Sequence, residues 1–331
     1  MPIETRFTQL FGVKVPVMQG GMYYVGYAEM AAAVSNAGGL GTVTSSHLKT
    51  PEALRAEIKK CKTLTNKPFA VNLTLLPTLL PPNYMELAQV IVDEGVKIVE
   101  TAGRNPAEFI KFFKYHNIKV IHKCTSVRHA LTAEKQGADA VSLDGFEAGG
   151  HPGEDDVTNW TLFPKAAKVL KIPFIASGAC CTGAHLAAAL SLGCEGMLMG
   201  TRFIATVEAP VKVEVKQALV RATELDTMLV MRSLKNTERV YKNSFSKKVA
   251  EIEKDKPGDI KAIYDYVKGD NYRKVFQETG DIDSVVFSCG QGVANIDEII
   301  TCKQLLDRIV SDCELIIQKR LVSYIKPVSK L

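Results

Sequence analysis

The sequence predicts a TIM (β/α)8 barrel with a helical insertion after the eighth strand, and three observations predict it. Eight short runs rich in Val and Ile alternate with seven amphipathic stretches over the first ~200 residues, the rhythm of strand-helix units. The runs are mostly apolar on both faces, as in a parallel sheet covered by helices. Four of the helical stretches stop at Gly38, Gly95, Gly137 and Gly193, the residue type that supplies a left-handed turn before the next strand. An open sheet needs edge strands, and none of the eight runs is conspicuously polar.

In chain order the strands are VPVM (15–18), LGTV (40–43), FAVN (69–72), KIVE (97–100), KVIH (119–122), DAVS (139–142), PFIA (173–176) and GMLM (196–199). The helices between them are expected at 26–38, 51–61, 84–95, 105–116, 127–137, 163–170 and 183–193. EGVKIVE, QGADAVS and LGCEGML echo one another: a helix stop, a glycine, an apolar strand. After strand eight, residues 207–280 are more charged and read as helical, with Pro257-Gly258 as a break. They are expected to form an insertion or subdomain beside a barrel made of 1–206 and 281–331. Apolar residues at helical spacing over 297–321 predict the closing helix.

Bulk composition narrows the function. The chain has 331 residues, 46% hydrophobic and 23% charged, an ordinary globular balance able to bury a large core. Net charge is +5, but FSKKVAEIEKDKPGDIK (245–261) mixes both signs, so no nucleic-acid partner is expected. No apolar run reaches the ~18 residues of a membrane helix, and the N-terminus has no apolar core of a signal peptide. The eight cysteines form no C-x-x-C pair and no cluster of zinc spacing, which predicts buried thiols and no metal site. The chain ends in Ser329-Lys330-Leu331, which is expected to act as a peroxisomal address read by an import receptor; if the tripeptide is a chance match, the protein is expected in the cytoplasm.

In such barrels the chemistry lies at the C-terminal ends of the strands, and a phosphate often sits after strands seven and eight. Here strand one ends in QGGM (19–22), strand six in LDGFEAGGHPG (143–153), strand seven in SGA (177–179) and strand eight in GTRF (200–203). Gly178 and Ala179, with Gly200 and Thr201, offer backbone N–H groups to a phosphate, aided by a helix starting near Cys181. Most histidines are satisfied structural residues, and His47, His116, His122, His129 and His185 sit in helices, strands or turns without a glycine frame. His151 follows Gly149-Gly150 at a strand end, which marks it for a catalytic or substrate-orienting role. Glu154, Asp155 and Asp156 are expected to cap the helix that carries Phe163 and to shape the loop.

The strings VMQGGM, FAVNLTLLP, VIHKCTSVRHAL, DGFEAGGHPGEDD, MGTRF and SCGQGV, spread over nearly the whole chain, resemble the nitronate monooxygenase family. These are FMN-dependent TIM barrels related to flavin-type enoyl-ACP reductases, and the likeness is closest to a branch that includes NADH:quinone reductases. The resemblance implies FMN across the strand ends. Gly21 and Met22 would line one flavin face, Asn72 or Leu73-Thr74 the ring edge, and Lys123 the N1–O2 edge. Asp144, Gly149 and Gly150 would border the ring, while Ser177, Gly178, Ala179, Gly200 and Thr201 would hold the phosphate. The family usually has a second glycine where this chain has Ala179, which makes that contact the least secure. His151 would be the acid/base beside the flavin.

Two reactions follow from the resemblance. In one, an alkyl nitronate or nitroalkane is oxidised with O2 to a carbonyl compound and nitrite. In the other, NAD(P)H reduces the same flavin, which then reduces a quinone, with the proline-rich loop 76–82 (Pro77, Pro81, Pro82) admitting the nicotinamide. Enoyl-ACP reduction ranks behind both, for want of a basic docking patch. A non-catalytic flavin binder would need neither Lys123 nor His151. The substrate is a small molecule in every catalytic case, and helix-rich barrel exteriors often pair as homodimers.

Overall fold

A computed structural model describes residues 3–48, 50–75 and 82–325. Ser329-Lys330-Leu331 and residues 76–81 of the proline-rich loop, Pro77 and Pro81 included, lie outside them. Eight parallel strands run in ring order: β1 (Val17–Gln19), β2 (Gly41–Thr44), β3 (Phe69–Leu75), β4 (Ile98–Gly103), β5 (Lys119–Cys124), β6 (Ala140–Asp144), β7 (Phe174–Ser177) and β8 (Met197–Met199). β1 pairs with β8, and a parallel bridge between Met18 and Leu40 closes the ring. All eight expected strands are present, each within three residues of its expected bounds.

The helices between them are α2 (Ala28–Asn36), α3 (Pro51–Leu64), α4 (Tyr84–Asp93), α5 (Ala107–Tyr115), α6 (Val127–Lys135), α7 (Asn159–Ala167) and α8 (Gly183–Ser191). They follow α1 (Arg6–Phe11), a short helix that periodicity did not predict. α1 is capped by Thr5, whose hydroxyl accepts from the Thr8 N–H, and its Phe7 and Phe11 are buried.

The two-residue period of a strand divides its side chains between two cores. Val17, Val43, Val71, Val99, Val120 and Val141 belong to the layer between sheet and helices. Met18, Leu40, Ala70, Ile98, Ile121, Ala140, Ile175 and Leu198, one from each strand position, form the barrel's inner layer with Phe7 and Phe11. Two residues further along each strand stand Gly20, Thr42, Asn72, Glu100, Lys123, Ser142, Ser177 and Gly200. The floor of the barrel is therefore wholly apolar and the level above it wholly polar or glycine. That switch places the chemistry at the C-terminal mouth.

Past the barrel strands come α9 (Thr201–Ile204) and α10 (Val213–Arg221). The segment 207–280 is not all helical, contrary to expectation. It contains an antiparallel hairpin of β9 (Thr227–Val230) and β10 (Glu238–Tyr241), then α11 (Ser244–Asp255), α12 (Ile260–Val267) and α13 (Asp270–Arg273). The strands are four residues each, too short for alternation to stand out. Their connection turns through left-handed Met231 and Lys235, residues that carry no turn signal. Val230, Met231, Val240, Val249, Ile263 and Val286 give the hairpin and its helices a core of their own. α14 (Cys302–Leu315) closes the chain and packs on α8, and Thr301 caps it by accepting the Gln304 N–H. All eight cysteines are buried free thiols. No helix among the described residues is long and apolar enough to cross a membrane.

Candidate active site

Four strand ends are joined by one carboxylate that the sequence reading missed. Glu100 on β4 is fully buried, and its Oε2 accepts from the Gly21 N–H at 3.1 Å and from Asn72 Nδ2 at 2.7 Å. Thr74 Oγ1 donates to Asn72 Oδ1 at 2.8 Å, which fixes the amide with its nitrogen toward Glu100. Lys123 Nζ lies 3.8 Å from Glu100 Oε1 and 3.9 Å from Asp144 Oδ2. Gly21, Asn72, Thr74, Lys123 and Asp144, all expected at the site, are thus brought together. The signal for Glu100 was present in KIVE: a carboxylate at an inward position of an otherwise apolar strand, two residues beyond Ile98.

The electrostatics are those of one cation shared by two acids. Burial opposes the Lys123 charge, but Asp144 and Glu100 outweigh it and hold the ammonium above the ordinary lysine value. Burial pushes Asp144 above the usual carboxylate range, with Lys123 and a hydrogen bond from Ser177 holding it partly back. Glu100 Oε1, Asp144 Oδ1 and Ser142 Oγ are buried without a hydrogen-bond partner among the described residues. Orphaned buried polar atoms are costly, so these three mark a place where a polar ligand would be satisfied.

At the opposite side of the mouth, Gly178 and Ala179 both adopt left-handed backbone, φ 102° and 53°. The N–H groups of Ala179 and Thr201 make no backbone hydrogen bond among the described residues. Thr201 Oγ1 accepts the Gly290 N–H at 2.9 Å, which leaves the hydroxyl proton free to point elsewhere. A side chain built on Gly200 would meet only Met22 Sδ, at 3.8 Å, so there is open room between the ends of β8 and β1.

The glycine pair before His151 has a packing reason of its own. A Cβ on Gly149 would lie 2.5 Å from Gly290 N and 2.8 Å from Cys289 C. Gly150, at φ 80°, exchanges both backbone hydrogen bonds with Arg239 of β10, 3.1 and 2.7 Å. Arg239 in turn donates to Phe146 O and stacks over the Phe146 ring at 4.6 Å. The loop after β6 is therefore held to the hairpin and to residues 288–290, and His151 projects from a fixed frame. Its ring is half-buried and makes no hydrogen bond, ion pair or ring contact among the described residues.

The acidic run after His151 does not cap the next helix, as had been expected. Glu154 accepts from the Thr237 N–H at 2.8 Å and from its hydroxyl at 2.5 Å, and Asp156 pairs with Arg232 at 2.5 Å. The N-terminus of α7 is met by Glu147, whose carboxylate accepts the Asn159 N–H at 3.2 Å. Proximity in sequence favoured the nearer acids, but the hairpin's donors claim them.

The family model for nitronate monooxygenase matches residues 4–312. The chain belongs to the nitronate monooxygenase family. Family members are flavin-dependent oxidoreductases, and that class holds for this chain. A "Probable nitronate monooxygenase" of Staphylococcus saprophyticus is 30% identical, over 78% of this chain and 84% of that one. A "(3aS,4S,5R,7aS)-5-hydroxy-7a-methyl-1-oxo-octahydro-1H-indene-4-carboxyl-CoA dehydrogenase" of Rhodococcus jostii is 32% identical, over 94% of this chain and 96% of that one. Among solved structures, FabK from Thermotoga maritima superposes with a TM-score of 0.91 at 36% identity, covering 98% and 100%. The shared barrel accounts for the strand-end geometry of this family member.

Proposed function

We propose that this chain binds FMN at the barrel mouth and oxidises nitroalkanes and alkyl nitronates with O2 to a carbonyl compound and nitrite. The observation that carries the reading is the Lys123 ammonium between two buried carboxylates with orphaned oxygens. An isoalloxazine edge brings both acceptors and an N–H donor. Lys123 matches the acceptors, and Glu100 Oε1 or Asp144 Oδ1 matches the donor. The backbone N–H groups of Ala179 and Thr201 suit the phosphate, and the room beside Gly200 and Met22 suits the flavin body. When bound, FMN supplies the electron relay between substrate and O2.

The chain's own residues do the rest. Lys123 places a fixed positive charge at the ring edge. Glu100 holds the Gly21 peptide and the Asn72 amide in one orientation, so the floor of the site does not rearrange during turnover. His151, unpartnered among the described residues, removes the α-proton when the substrate arrives as a neutral nitroalkane.

The 32% identity to the Rhodococcus dehydrogenase, over 94% of this chain, supports a second reading, dehydrogenation of a CoA thioester. Anaerobic mixing of the yellow protein separates the readings, including the NAD(P)H:quinone one. Bleaching of the flavin absorbance by nitroethane or its nitronate, with nitrite formed on admitting O2, is the expected outcome. Bleaching by NADH alone, reversed by a quinone, would transfer the assignment to the reductase. A colourless protein that riboflavin 5′-phosphate does not reconstitute would end all three.

A further inference from the structure

One partly buried cluster, behind the loop that carries His151, is unused by this reading. Glu238 opens β10, and its Oε1 lies 2.5 Å from Ser288 Oγ and 3.0 Å from the Tyr272 hydroxyl. The two hydroxyls are 2.9 Å apart, and the Ser288 N–H donates to the Tyr272 oxygen at 2.7 Å. Each hydroxyl has a single proton. With the Tyr272 oxygen already receiving the Ser288 N–H, both hydroxyl protons are best placed on Oε1. What Ser288 Oγ then offers its surroundings is lone pairs. Burial and the Glu238 carboxylate together push the Tyr272 phenol well above its ordinary value, so that proton stays.

Strand register ties the cluster to His151. Gly150 and Arg239 form an antiparallel bridge, so one residue further on each side His151 and Glu238 stand opposite each other. Ser288 Oγ lies 3.7 Å from the point where a Cβ on Gly150 would stand. The Glu238–Ser288 pair therefore lies behind the Gly150 turn from which His151 projects. The Lys123 charge, the natural attraction for an anion, is already opposed by Glu100 and Asp144.

We propose that Glu238 sets the charge preference of this site, favouring an uncharged carbon acid such as a neutral nitroalkane over an anion of the same shape. The identity of the substrate rests on the oxidation reading above; the charge preference does not. In the step concerned, the substrate Cα–H bond breaks and the proton forms an N–H bond on His151. The electron pair stays on the substrate as its nitronate. The carboxylate opposes entry of a ready-made anion.

Isothermal titration of the flavin-loaded protein with propanamide and propionate, a neutral and an anionic probe of one size, tests this. Wild type should bind propanamide ~10-fold more tightly, the effect of one screened charge. E238Q should bring the two within about twofold by tightening propionate alone, whereas Y272F, which keeps the carboxylate, should retain the preference. Equal or tighter propionate binding by wild type overturns the proposal without recourse to any variant. It is also overturned if E238Q changes both probes equally, the mark of a merely structural residue, or if neither probe binds. A charge preference found in a protein whose flavin neither nitroethane nor its nitronate reduces would sink the oxidation reading and leave the charge preference standing.

Discussion

At the scale of single residues, the site is a balance of buried charge, and the balance makes two predictions. Lys123→Met strips Glu100 and Asp144 of their cation. Breaking one partner out of a buried ionic group costs on the order of 3 kcal/mol, and that loss is expected near pH 7.5 in urea denaturation. The loss should shrink in acid. The Asp144 value is raised by folding, so its contribution is full below the unfolded carboxylate value and is lost as pH rises through the folded one. Acidification lets Asp144 take a proton and dispense with the missing cation; a deficit that stays constant to pH 5 would show that the two groups are not coupled. His151→Ala separates the two substrate forms. The general-base contribution is typically 10²–10⁴-fold, so kcat/KM for neutral nitroethane should fall by about that much, with the preformed nitronate nearly unaffected. Equal losses on both would place His151 in binding rather than proton transfer.

At the scale of elements, the hairpin β9–β10 and the 288–290 segment fix the loop that carries His151, and Gly149 is where they touch. Gly149→Ala would drive a methyl into the Cys289–Gly290 backbone, which has no flexible side chain to give way. Overpacking of this kind costs ~1–3 kcal/mol. The expected result is a lowered denaturation midpoint together with a weaker His151-dependent rate; an unchanged midpoint would mean that the contact is not maintained. This element also shows what could be read from the sequence. The eight strands and seven helices were legible because each repeats a period, a stop glycine and an apolar run. Gly21, Asn72, Lys123 and Asp144 were legible through the resemblance to the nitronate monooxygenase family, and His151 through the glycine pair that precedes it at a strand end. The hairpin was not legible, since TMLV and ERVY are too short to declare a period. Glu100 was passed over because a strand's last residue reads as a boundary, although its inward parity with Ile98 marked it. Glu238 and Tyr272 come from a segment without a repeating pattern, and only tertiary pairing brings them to Ser288 behind the Gly150 turn. The wrong assignment of Glu154 and Asp156 to helix capping has the same origin: their partners, Thr237 and Arg232, lie ~80 residues away, beyond the reach of local capping rules.

At the scale of the whole molecule, the same division of each strand into two faces that builds the site also predicts how the barrel fails in acid. The outer face packs against helices, and two imidazoles are buried with the neighbouring layers. His122 on β5 bonds through Nδ1 to Thr101 Oγ1 on β4 at 2.9 Å, and burial lowers its value to about 4. His47, after β2, is packed against Tyr24 and Tyr27, with ring centroids 5.3 and 4.3 Å away, and burial lowers it likewise to about 4. For a group whose value is depressed by folding, the stabilising contribution is present above the unfolded value, ~6.5 for histidine, and is lost as pH falls toward the folded one. Between about pH 6.5 and 4 each ring therefore adds up to ~1.4 kcal/mol of instability per pH unit, because the unfolded chain binds a proton that the folded chain refuses. Unfolding free energies from urea titrations at pH 7, 6 and 5 should fall progressively more steeply. His122→Asn, which keeps a polar group within reach of Thr101 but cannot titrate in this range, should start lower at pH 7 and fall with a shallower slope. A parallel decline in wild type and variant would mean that acid acts first elsewhere. The surface carboxylates that pair with Lys and Arg would then be the ones to examine, and the closed ring of eight strands would not be the part of the molecule that yields.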